Sequence, residues 1–147
     1  MDKIIWIVLV AVAGSLLPLQ AGLNTRMGQA IHNPIYASLI SFIGGAIALI
    51  IFILVTRQSI AWADLKSAPR ITWISGALGA FYVTVSIFAF PRLGPALTFG
   101  LIVAGQLLVS IALDHFNILV AAPHPINWYR VAGALLIVAG VVIIRRF

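Results

Sequence analysis

The sequence predicts an all-α, polytopic membrane protein with five transmembrane helices, and three observations carry that expectation. Of its 147 residues, 63% are hydrophobic and 8% charged, whereas a soluble domain needs roughly a quarter charged residues to cover its surface. The apolar residues gather in runs near the twenty required to cross a hydrocarbon core. Most of the charges stand between those runs or at their ends. The expected spans are 4–31, 35–56, 71–90, 94–114 and 128–146, forming one membrane domain over 1–147. There are no cysteines, so disulfides and thiolate metal sites are excluded. The formal charge of +6 sits mainly beside apolar runs, where lipid phosphates and snorkelling account for it. The bilayer is the expected partner of that charge, and nucleic acid is not.

The first run begins at Ile4, after Asp2 and Lys3, and continues to Leu23. Its leading residues are not clearly basic and no small-x-small cleavage site follows, so it reads as a helix and not as a signal peptide. Pro18 removes one backbone donor and crowds the carbonyl of Gly14, which predicts a kink. Nothing stops the helix before Asn33-Pro34, so it extends past Asn24, Arg26 and Gln29. The second run, Ile35 to Val55, is uncharged over 21 residues. Ala37, Ser41, Gly45 and Ala48 give it a small-residue face, which allows close helix approach. The polar connection from Thr56 to Arg70 includes Ile60, Trp62 and Leu65, which place it partly in the interface.

The third and fourth spans lie between Ile71 and Leu113 and meet at Phe90-Pro91-Arg92-Leu93-Gly94-Pro95, read as the turn of a membrane hairpin. Ser75, Gly79, Tyr82 and Ser86 recur at helical spacing on one, and Thr98, Gln106 and Ser110 on the other. Such a polar seam has to be covered by other helices or by a wet cavity. After Asp114-His115 a moderately apolar connection, 116–127, is broken at Pro123-His124-Pro125. The fifth span opens on Trp128-Tyr129-Arg130 and closes on Arg145-Arg146. Its apolar core of 14 residues is short, but an aromatic belt and snorkelling arginines lengthen its reach.

Five spans put the termini on opposite sides. Lys3, Arg57, Lys66, Arg70 and Arg130 make five basic residues on the amino-terminal side; Arg26, Arg92, Arg145 and Arg146 make four on the other. Orientation follows asymmetry in that count, and there is almost none. The chain either inserts both ways up or has a single, weakly encoded orientation. Dual insertion allows two copies to pair antiparallel into a ten-helix inverted repeat, an architecture common among transporters.

Gln20 and Asn24 are four residues apart and share a helix face. Gln106 lies deep in the fourth span, one turn before Ser110. Amides inside a bilayer are costly unless hydrogen-bonded. One reading lines a substrate cavity with Gln20, Asn24, Tyr82, Ser86, Gln106 and Ser110. The other makes them interhelical hydrogen bonds worth about 1 kcal/mol or less. Arg26 falls roughly 33 Å from Ile4 along a straight helix, either as a snorkelling flank or as an electropositive entrance for anionic solutes. Asp114 and Arg130 are expected to pair across the last connection. His32, His115 and His124 show no metal-ligand spacing. No nucleophile motif or phosphate loop is present. No catalytic residue, metal or cofactor is expected, and an enzyme is not the reading.

Pro18-Leu19-Gln20-Ala21-Gly22-Leu23-Asn24-Thr25-Arg26 resembles the first-helix signature of the short YdcZ-type branch of the drug/metabolite transporter superfamily. The likeness continues in Trp73-Ile74-Ser75-Gly76-Ala77-Leu78-Gly79-Ala80, Pro91-Arg92-Leu93-Gly94-Pro95-Ala96, Gly105-Gln106, Asp114-His115-Phe116 and Arg130-Val131-Ala132-Gly133. It implies a multi-pass protein of the bacterial inner membrane that works as a dimer or as fused halves, and it tips the even charge balance towards dual insertion. The chain departs from the related small multidrug exporters, which use a first-helix glutamate for proton-coupled export of cations. This sequence contains no glutamate. The expected function is that of a half-transporter. As an antiparallel homodimer, or with a paired homologue, it would move a small polar or amphipathic organic metabolite by alternating access. The alternative is a non-transporting membrane subunit that assembles with partner helices.

Overall fold

The computed structural model describes residues 3–120 and 124–147. Asp2 and Pro123, which figured in the expected flank and break, lie outside the described residues, as does the side chain of Trp62. Within them the chain is helical and contains no strand: α1 Lys3–Ala30, α2 Pro34–Thr56, α3 Trp62–Ser67, a 3-10 turn Arg70–Ile74, α4 Ser75–His115 and α5 Trp128–Arg146. Four stretches are long and apolar enough to cross a membrane: α1, α2, the 3-10 turn with α4, and α5. Two compact units divide the chain, Met1–Pro91 and Arg92–Phe147.

The helix ends are written locally. His32 adopts a left-handed φ of 54°, and Asn33 N–H returns to the carbonyl of Gly28 at 2.9 Å, the hydrogen bond of a Schellman stop. Asn33 then turns from stop to start: its side chain accepts from the N–H groups of Ile35 and Tyr36, with Pro34 at the first helical position, where its missing N–H costs nothing. Arg57, at φ 53°, ends α2 in the same way, with Gln58 N–H on Ile53 O at 3.0 Å. Asn117 repeats the device after α4. Asn127 caps α5 by accepting from Arg130 N–H at 3.0 Å.

Helix α1 remains helical through Pro18 and runs on to Ala30, since a proline removes one hydrogen bond without ending a helix anchored on both sides. The connection after α2 contains the short α3, which hydropathy alone did not foresee. The largest departure is at 90–95. The expected turn narrows to one residue, Gly94, at φ 76° and ψ 163°, a region of backbone space open essentially to glycine alone. Pro91 lies in helix, and Pro95 resumes it. The segments on either side, 75–93 and 95–115, are roughly 28 and 32 Å long at 1.5 Å per residue, each close to one hydrocarbon thickness.

In the first unit, α1 and α2 run in opposite directions. A Cβ at Gly28 would lie 3.2 Å from Pro34 Cα and 3.5 Å from Ala37 Cβ, so glycine allows the helices to touch beside the turn. The first half of α4 packs on both. Ile87 reaches Gly28, Phe90 reaches Gly22 and Phe42 of α2 reaches Gly79. In the second unit, Val141 of α5 sits against Gly100 of α4, with 3.1 Å to a Cβ placed there. Ala134 and Val141, both buried, mark the face of α5 turned to α4.

Candidate functional site

Two hydrogen-bond clusters join α2 to its neighbours. On one side, Ser41 Oγ accepts from Asn24 Nδ2 at 3.1 Å and more weakly from Gln20 Nε2 at 3.4 Å. On the other, Thr84 Oγ1 donates to Ser38 Oγ at 2.9 Å, and Ser38 donates onward to the carbonyl of Pro34 at 3.3 Å. These bonds satisfy hydroxyls and amide donors that no lipid could satisfy. The amide oxygens of Gln20 and Asn24 accept nothing among the described residues.

Four of the expected site residues come together. Gln20, Asn24, Tyr82 and Ser86 border one gap between α1 and α4, with Ala21 and Val83. Its volume is about 10 Å³, room for a single water at most. Ser86 is buried and donates to the carbonyl of Tyr82 at 2.8 Å. A metabolite does not fit in that gap. The roomy concavity of the first unit lies beside it, a cleft of about 520 Å³ lined by Pro18, Leu19, Gly22, Leu23, Thr25, Arg26, Gln29, Phe90 and Pro91. Arg26 is exposed there, and among the described residues it has no ion-pair or hydrogen-bond partner.

Gln106 and Ser110 belong to the second unit, where both are exposed on α4. Ser110 lines a groove of about 290 Å³ with Leu107, Ile111, Asp114, Arg130, Gly133, Ala134 and Ile137. The expected ion pair is present: Arg130 Nη2 lies 2.7 Å from Asp114 Oδ2, and Arg130 Nη1 donates to the carbonyl of His124 at 2.6 Å. No group of three or more His, Cys, Asp or Glu capable of holding a metal occurs among the described residues.

Sequence reasoning missed Ser41, Thr25 and Phe90. Ser41 was read as one of a small-residue stripe, although a hydroxyl in an uncharged run needs a partner and could have been matched to Gln20 and Asn24 on that ground. Thr25 is buried, and its Oγ1 has no hydrogen-bond partner, a state that only the packed structure exposes.

Residues 5–143 match the family described as "Putative inner membrane exporter, YdcZ". The chain belongs to the YdcZ family. Inner membrane protein YdcZ of Escherichia coli (strain K12) is 31% identical over 148 aligned residues, covering 99% of this chain and 98% of that protein. No solved structure matches the chain significantly. YdcZ membership places the chain among membrane transport proteins, and an exporter family is not an enzyme class.

Proposed function

We propose that the chain is half of a transporter in the bacterial inner membrane, moving a small polar or amphipathic organic metabolite by alternating access as an antiparallel homodimer or with a paired homologue. The observation that carries this is the cleft of about 520 Å³ on a helix apolar enough to span a membrane, with Arg26 in its wall. An arginine in the wall of a cleft on a spanning helix suits the mouth of a solute pathway, and the volume falls in the range of small-molecule sites. A path of five crossings is supported by the Gly94 break between two segments of bilayer length. The near-even basic count supports dual insertion. Gly133 and Gly140 have open space where a side chain would stand, which suits them to close approach by a second copy.

One observation favours the rival reading of a non-transporting subunit: Gln20 and Asn24 spend their donors inside the chain, on Ser41. Liposomes loaded with small molecules from a bacterial extract and bearing purified protein separate the two. A transporter releases a reproducible subset of solutes to the medium, detected by mass spectrometry against protein-free liposomes. Gln106→Leu is expected to abolish that release while leaving assembly intact. A structural subunit releases nothing, and its Gln106→Leu variant loses assembly instead.

A further inference from the structure

The cleft of the first unit combines three features that point to one class of solute. Its cation is uncompensated. Two acidic side chains fall among the described residues, Asp64 and Asp114, and Asp114 is engaged with Arg130 in the other unit. Arg26 pairs with neither. Beside it, Gln29, one turn on, contributes an exposed amide. The rest of the lining is apolar: Leu19, Leu23, Phe90 and the two prolines.

Resting on the transporter reading above, we infer that this cleft binds an amphipathic monocarboxylate, its carboxylate on Arg26 beside Gln29 and its apolar body against Leu19, Leu23 and Phe90. The guanidinium presents a planar fork of donors that matches a carboxylate bidentately. Apolar walls lower the local dielectric and strengthen that attraction relative to water. Gly22 and Arg26 are four residues apart, one turn along the same face. Because Gly22 has no side chain, the ring of Phe90 comes close to α1, 3.4 Å from where a Cβ would stand. The backbone positions that carry the cation and face the aromatic wall are therefore about 6 Å apart along α1. A cation is repelled by Arg26, and a neutral alcohol gains only the walls.

The test is equilibrium binding to full-length protein in phosphatidylcholine nanodiscs, with empty discs as the blank. The probes are 3-phenylpropionate, 3-phenylpropanol and the 3-phenylpropyltrimethylammonium cation. Saturable binding of the carboxylate, with the alcohol and the cation at least roughly tenfold weaker, is expected. Arg26→Gln should erase the preference, and Arg26→Lys should restore part of it. Equal binding of all three probes, or a preference that survives Arg26→Gln, overturns the inference. So does loss of carboxylate binding when phosphatidylglycerol is added to the discs, which would make the cleft a lipid-headgroup site. Release of extract solutes without carboxylate binding sinks this inference and leaves transport standing. Arg26-dependent binding without release of any solute does the reverse.

Discussion

Asn24 and Ser41 show how little a single polar contact in the membrane has to contribute in order to matter. Their 3.1 Å hydrogen bond should appear in a double-mutant cycle, Asn24→Leu with Ser41→Ala, as a coupling of about 0.5–1 kcal/mol, read from unfolding in mixed micelles. A coupling of zero would mean that the amide serves only the gap beside Tyr82. His32 makes the opposite case. It occupies a left-handed position at φ 54°, where a Cβ costs about 1–2 kcal/mol, so His32→Gly is expected to stabilise the α1–α2 turn by up to about 1 kcal/mol. The pairing of Gln20 with Asn24 on one face was legible in the sequence, because helical spacing alone fixes it. Their common acceptor was only half legible: a hydroxyl at Ser41 in an uncharged run calls for a partner, but only the turn at 31–33 decides that it meets these two amides, Asn24 17 residues away.

Among the elements, glycines separate packing from bare tolerance. Gly28 faces the backbone of Pro34, whereas Gly14 has nothing within 4 Å. Gly28→Val should destabilise the first unit by about 1–3 kcal/mol through overpacking, while Gly14→Ala should be neutral or slightly favourable through helix propensity. Gly94 is a third case. At φ 76°, ψ 163° any side chain meets strain of about 1–3 kcal/mol, so Gly94→Ala is expected to lower the thermal midpoint although open space surrounds the position. An unchanged midpoint would show that the break does not depend on glycine. Spans were legible because hydropathy and length determine them, and the end of the first because Asn33-Pro34 marks a stop; the cap at Asn127 emerged only with the structure. The narrowness of the break at 90–95 was not legible. Two prolines and a glycine there suggested a loop, yet Pro91 is carried within the helix and Pro95 opens the next segment just past Gly94, where a missing N–H costs nothing.

For the molecule as a whole, the decisive quantity is which side of the membrane each terminus faces. Reporter fusions at both ends should find them on opposite sides if 75–93 and 95–115 cross separately, and on the same side if they do not. Signal from both compartments at each end is expected if the chain inserts both ways up. Assembly was the least legible property, because lipid-facing and partner-facing surfaces of a membrane helix share one composition. A last consequence comes from α2, which has a serine for each neighbour: Ser41 for α1 and Ser38 for α4. These two teeth give an otherwise featureless greasy rod its rotational setting. Filing both down to alanine should leave its length, depth and helicity unaltered but free it to settle at several azimuths, so that methyl resonances of the first unit double where the native protein gives single peaks.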